Sequence, residues 1–224
     1  MANVAGTVGI LSSDLARYTW FAQSLMSMRV PLHTKYLWIM GAWVSAAVNT
    51  LVQQMEGDFL MILADDHILP SNLLVKLLAH QVPLVAPSVC LRRPPFLPSF
   101  FHETPAGYIG YTWEELYGQT GLLPVDTFGG PGCVIRREVL EAVGMPFFES
   151  DPHHREFPHE DVYSFSKCRK AGFQPYIDLD TPLGHILPAA VFPARMTEYA
   201  HGVRLWAGED LAVFSTQRKG DDGE

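Results

Sequence analysis

Residues 57 to 70 read GDFLMILADDHILP. A turn pair, Gly57-Asp58, opens onto five apolar residues, and the run closes on two acids and a histidine ahead of Pro70. An unbroken apolar run bounded by turn residues is the pattern of a strand buried on both faces. Carboxylates beside such a strand are costly unless something positive pairs with them. The stretch therefore predicts a buried strand whose end waits for a cation.

The same alternation extends to both sides. GTVGIL (6–11) is a short apolar run closed by SSD, predicting a strand and then a helix over 15–28, with Ser12, Ser13 or Asp14 as N-cap. KYLWIM (35–40) and AWVSAAVNTLVQQM (42–55) give a second strand and helix. After the central strand, PSNLLVKLLAHQ predicts a third helix and PLVAPSV a fourth strand. Strand and helix in strict alternation imply an α/β unit with a parallel sheet, whose ligands bind outside the carboxyl ends of the strands. Asp65 to His67 lie at such an end. From Tyr36 to Met55 there is no charged residue, a length that can span a bilayer. The polar residues Ser45, Asn49, Thr50, Gln53 and Gln54 within it favour a strand and a helix instead, so no membrane span is expected.

Residues 92–125, rich in proline, glycine and aromatics, read as a long loop or a cover over the sheet edge. RREVLEAVG and HEDVYSFSKCRKAG then predict short helices ended by Gly144 and Gly172, FQPYIDLD a strand and TPLGHI a loop bearing His185. The segment from 208 on is polar and reads as a loosely held tail.

Of the 224 residues 48% are hydrophobic and 18% charged, a globular profile with a formal net charge of -8. That balance argues against a broad electrostatic footprint on nucleic acid. The three cysteines are scattered, which fits a reducing cytoplasm and excludes a disulfide framework or a cysteine zinc site. The N-terminus has no basic region ahead of its apolar run and does not read as a signal peptide.

In an extended chain residues i and i+2 share a side. Asp65 and His67 are thus expected to face one way and Asp66 the other, provided the strand persists that far. A carboxylate and an imidazole together hold a divalent ion, and the imidazole shifts preference from magnesium towards manganese. His185 is the candidate third ligand. The bland alternatives are that Asp65 or Asp66 caps the next helix and that His67 is a hydrogen-bonded, half-buried histidine. In His159-Glu160-Asp161, acids stand where a helix begins and where its dipole favours them. Either carboxylate can also serve as a general base. His153, His154 and His159 match no common zinc spacing.

Taken in order, VGIL, GDFLMILADDHILP, GGPGCVIRREVLEAVG and HEDVYSFSKCRKAGFQPYIDLD resemble the family 2-like glycosyltransferases of the GT-A fold, over residues 6 to about 187. The terse form is similar to short glycosyltransferases of bacteriophages and bacteria. The resemblance implies one GT-A domain over 1–207, Rossmann-like, with a mixed, mostly parallel central sheet flanked by helices. Its nucleotide-sugar half would be 1–91, its acceptor half 92–207, and 208–224 a polar tail. The family's D-x-D falls on Asp65 and His67, with His185 completing the metal site and Asp66 able to take the nucleotide or the metal in an alternative register. Asp161 would be the catalytic base, with Glu160 beside it. Donor contacts would involve Ser12, Asn49, Asp65 and Asp66, although Val48-Asn49 stands where relatives carry Arg-Asn. The implied cofactors are a divalent metal, manganese before magnesium, and a nucleotide-sugar donor, a UDP-sugar first. The implied reaction is an inverting transfer to an acceptor hydroxyl. Two acceptor classes stay open, a small or cell-surface glycan and a hydroxymethylated pyrimidine in phage DNA. A rival from another class is a non-catalytic nucleotide- or metal-binding module, which has no need of Asp161. A nucleotidyltransferase would carry a glycine-rich basic loop after the first strand, and LSSDLARY has none.

Overall fold

The computed structural model describes residues 4–12, 18–92, 95–150, 160–187, 190–193, 201–206 and 210–216. Strand β1 (Gly6–Ser12) is followed by α1 (Thr19–Ser27), β2 (Thr34–Met40), α2 (Val44–Gln54), β3 (Phe59–Ala64), the two-residue strand β4 (His67–Ile68), α3 (Leu73–Ala79) and β5 (Leu84–Ser88). Then come β6 (Phe100–Thr104), β7 (Gly107–Gly110), β8 (Leu122–Pro124), β9 (Thr127–Phe128), β10 (Val134–Arg136), α4 (Arg137–Val143), α5 (Glu160–Lys170), β11 (Tyr176–Pro182), β12 (Gly184–Ile186), β13 (Ala190–Pro193), β14 (His201–Trp206) and β15 (Asp210–Thr216).

The central sheet has seven strands in the order β2-β1-β3-β10-β5-β11-β8. β1 runs parallel to both β2 and β3, and β5 runs parallel to β11, while β10 and β8 lie antiparallel to their neighbours. The apolar runs are unbroken because both faces are covered. In β3, Leu60 and Ile62 pack with Ala47, Val48 and Leu51 of α2 and with Val139 and Phe165 of α4 and α5. Phe59, Met61 and Leu63 pack on the other face with Phe21 of α1 and with Leu73, Leu74 and Leu77 of α3. The turn into β3 needs its glycine: Gly57 has φ +79°, and a Cβ there would lie 2.4 Å from the Gly6 nitrogen. Among the described residues no helix is long and apolar enough to cross a membrane, and the uncharged stretch divides into β2 and α2.

Four expectations change. Helix α1 begins only at Thr19, with Tyr18 at its N-cap and no side-chain cap, and β1 keeps Ser12 for itself. Residues 92–125 are not a featureless cover: β6 and β7 form a hairpin joined to β9. Three of the segment's aromatics, Phe100, Tyr111 and Trp113, are buried in the core. TPLGHI is no loop, since β12 lies between β13 and β4 in a five-stranded sheet ordered β15-β14-β13-β12-β4. Residues 210–216 belong to that sheet, paired along β14, rather than to a loose tail. These short strands escape sequence reading because their partners lie far along the chain and supply the hydrogen bonds that local propensity does not.

Candidate active site

The decisive geometry lies where β3 ends. The strand stops at Ala64, and Asp65 and Asp66 form a turn before β4. Alternation of sides fails across a turn, so the expected pairing of Asp65 with His67 is replaced. Asp66, His67 and His185 each offer one ligand atom, and these atoms lie within 4.8 Å of one another. Asp65 turns instead to the end of β1, where its Oδ2 accepts a hydrogen bond from Ser12 Oγ. Its amide donates to the Leu11 carbonyl at 3.2 Å. Ser12 and Asp65 thus close the gap between β1 and β3 at the edge of the site.

The two histidines meet because β12 pairs antiparallel with β4, placing His185 opposite His67 and Gly184 opposite Ile68. The Ile186 amide donates to the Asp66 carbonyl at 2.7 Å, which ties the acidic turn to the same ladder. His185 Nδ1 donates to the Cys90 carbonyl at 2.8 Å, leaving Nε2, 3.6 Å from Asp66 Oδ2, as the nitrogen with a free lone pair. His67 Nδ1 lies 3.3 Å from the Ala64 carbonyl oxygen and 3.5 Å from Asp66 Oδ1.

The electrostatics suit a cation. Burial pushes His67 down to about 4, against the opposing pull of the Asp66 charge, so its imidazole is neutral and available to a metal at neutral pH. Burial alone would raise the Asp66 carboxyl, but His185, His67 and Arg92 together hold it well below the usual carboxylate range. Asp66 Oδ1 is buried with no hydrogen-bond partner. An orphaned carboxylate oxygen beside two imidazoles is what a divalent ion would satisfy. Metal–ligand distances of about 2.1 Å put ligand pairs roughly 3 to 4 Å apart, and the 3.6 Å between His185 Nε2 and Asp66 Oδ2 falls in that range. The residues present fit the ion.

The triad opens into a cleft of about 490 Å³. Leu11, Ile39, Ala42 and Ala47 make one part of its wall apolar, while Arg92, Ser99, Gly129 and Asp161 line it elsewhere. Asp161 sits in the first turn of α5 and its Oδ1 accepts the Val162 amide at 2.8 Å. The start of α5 is held down by Thr127 of β9, whose hydroxyl donates to the Val162 carbonyl. A Cβ on Gly129 would lie 2.8 Å from Ser99 Oγ and 3.4 Å from Asp161 Oδ2, so glycine keeps the cleft open beside the acid.

Two expected residues do not line this cleft. Glu160, next to Asp161, meets Ser150 Oγ at 3.4 Å on the exposed side of the helix start. Asn49 is spent on structure, since its Nδ2 donates to the Phe148 carbonyl at 2.8 Å and its Oδ1 accepts the Phe148 amide at 2.9 Å. His153, His154 and His159 lie outside the described residues. Arg92, Ser99 and Gly129 were not singled out as site residues in the sequence. A usable signal for Arg92 was its place four residues past β5, beyond a carboxyl end of the sheet. Burial pushes all three thiols up, Cys168 to about 12, so none supplies a thiolate nucleophile.

The sequence matches no protein-family model and no curated protein. Solved structures do match its fold. The protein A197 from STIV superposes with a TM-score of 0.60 at 16% identity, covering 87% of this chain and 98% of its own. TarS from S. aureus superposes with a TM-score of 0.51 at 12% identity, covering 78% of this chain and 35% of its own. The architecture is the GT-A fold.

Proposed function

We propose that this protein is a metal-dependent glycosyltransferase that moves a sugar from a nucleotide-sugar donor to an acceptor hydroxyl. One observation carries the reading: in a GT-A fold, the Asp66-His67-His185 cluster and Asp161 line a single cleft at the carboxyl ends of the strands. The apolar wall formed by Leu11, Ile39, Ala42 and Ala47 suits a nucleobase, a UDP-sugar being the first donor to try. A divalent ion held by Asp66, His67 and His185, manganese before magnesium, would offset charge on the departing nucleoside diphosphate. Ser12 and Asp65 hold each other and fix the cleft edge between β1 and β3. Asp161 takes the proton from the acceptor hydroxyl as that oxygen attacks the anomeric carbon, which gives inversion. Its place in the first turn of α5 is one where the helix dipole favours a carboxylate.

The acceptor enters from the side lined by Ser99 and Gly129. A glycan and a hydroxymethylated pyrimidine in DNA are the two classes to test. The buried state of Phe100, Tyr111 and Trp113 removes three of the rings available for stacking a flipped base, and the net charge of -8 favours the glycan. A thermal-shift screen of nucleotide sugars with and without manganese tests the donor half. The acceptor half is tested by incubating the protein with the selected donor and manganese, in turn with glycans and with hydroxymethylcytosine DNA, and weighing the products. Stabilisation by a nucleotide sugar only when manganese is present supports the reading. Donor binding with no transfer or donor hydrolysis leaves a binding module in its place.

A further inference from the structure

Arg92 stands on the wall of the cleft with its Nη1 2.8 Å from Asp66 Oδ2. The same oxygen faces His185 Nε2 at 3.6 Å. One carboxylate oxygen is therefore addressed both by an imidazole that can ligate a metal and by a guanidinium that cannot, because arginine has no lone pair to give. A divalent ion and a guanidinium on one oxygen repel each other. The Arg92 side chain is 50% exposed, so the guanidinium can leave Asp66 without crossing packed protein. Arg92 is also the only lysine or arginine among the described residues that line the cleft. A nucleoside diphosphate carries more negative charge than one divalent ion offsets, and the planar fork of a guanidinium matches phosphate oxygens two at a time.

We propose, resting on the metal-dependent reading above, that Arg92 has two successive partners. Without metal its guanidinium holds the Asp66 carboxylate. When an ion takes that oxygen, Arg92 turns to the donor diphosphate and anchors it as the leaving group.

The test uses the full chain and readouts other than turnover. Manganese alone is titrated calorimetrically into wild type, Arg92→Ala, Arg92→Lys and His185→Ala. Inorganic pyrophosphate at micromolar concentration is then titrated at saturating manganese, which avoids any assumption about the nucleotide. Arg92→Ala is expected to bind manganese about 3- to 10-fold more tightly than wild type, because a competing cation is gone. The same variant is expected to bind pyrophosphate roughly 10- to 100-fold more weakly. Arg92→Lys restores a charge without the fork and recovers only part of that loss. The opposite signs are the signature, since a residue that merely shaped the wall would weaken both. Unchanged or weaker manganese binding in Arg92→Ala, or unchanged pyrophosphate binding, overturns the proposal. If His185→Ala loses manganese while Arg92→Ala alters neither titration, only the role of Arg92 falls. If His185→Ala binds manganese as wild type does, the ligand set itself is wrong and this proposal goes with it.

Discussion

His67 and His185 face each other directly across the β4–β12 ladder, with ring centroids 4.8 Å apart and planes 23° from parallel. Main-chain pairing, not loop flexibility, thus sets the separation of the two imidazoles. A site built on strands holds its ligands more tightly in place than one built on loops. The preorganisation extends to Asp66, because its carbonyl is bonded to Ile186, next to His185.

Removing a ligand should therefore be felt as lost metal affinity before it is felt as lost fold. His185→Ala, at a half-buried position, is expected to weaken manganese binding at least about 10-fold, and donor turnover should fall with it. Calorimetric titration and a turnover assay on one preparation check both. Full turnover in excess chelator would rule out metal dependence.

The buried His67 gives the metal-free protein a pH dependence of definite sign. Its folded value, about 4, is below the ordinary histidine value of 6.5, so between those limits the unfolded chain binds the extra proton. Stability is full above pH 6.5, declines as pH falls towards 4, and changes no further from this group below that. The span corresponds to roughly 3 kcal/mol at most. His67→Gln should flatten the decline in a urea-unfolding series run from pH 7 to 4 with chelator present. An equally steep decline in the variant would assign it to other groups.

Asp161 and Glu160 are neighbours with different surroundings, and the difference predicts their kinetics. Asp161 lines the cleft, whereas Glu160 meets Ser150 away from it. Asp161→Asn should keep donor affinity and lose transfer on the order of 10²–10⁴-fold, the usual effect of removing a positioned base. Glu160→Gln should transfer at nearly the wild-type rate. If the two variants exchange these behaviours, the base is Glu160 and the helix start is differently arranged around the acceptor.

Five strands of the central sheet, β1, β2, β3, β5 and β11, were legible as short runs bounded by turn residues, whereas β8 and β10, three residues each, depend on distant partners and were not. The chemistry was legible as residue types, and less so as geometry. Asp65 and His67 share a side only while the strand lasts, and the turn at 65–66 puts Asp66 into the cluster instead. Nothing within those few residues marks the turn, since the contact that secures it comes from Ile186 in a distant strand. Asn49 failed for the same reason. A lone amide on an apolar helix reads equally well as a ligand contact or as a clamp on backbone, and only the position of Phe148 decides between them.

That clamp gives a prediction opposite to the role the sequence suggested for Asn49. Its side chain satisfies both the amide and the carbonyl of Phe148, which is itself buried against the core. Asn49→Ala leaves two main-chain groups without their partners and should cost about 1 to 3 kcal/mol of stability. Donor affinity of the folded fraction should not change, because the residue does not line the cleft. Chemical denaturation and a donor titration at low temperature separate the two effects. A donor-binding loss with unaltered stability would restore Asn49 to the site.

Gly184 provides the sharpest check that the β4–β12 pairing builds the metal site. A Cβ at this position would lie 2.6 Å from the Phe192 ring and 3.1 Å from Ile68 Cβ. The first contact is closer than side chains tolerate, and Phe192 belongs to β13, which pairs with β12. Gly184→Ala must therefore displace the Phe192 ring or push β12 away from β4 or β13. The residue next to it is His185, whose Nε2 must stay near Asp66 to share an ion. The variant is expected to lose manganese affinity about 10-fold or more, comparable with removing a neighbour that orients a ligand, though every ligating side chain is intact. The central seven-stranded sheet is built from other strands, so the far-ultraviolet spectrum should change little. Wild-type manganese affinity in a folded Gly184→Ala protein would mean that the ladder does not position the ligands, and that His185 reaches the ion by some other support.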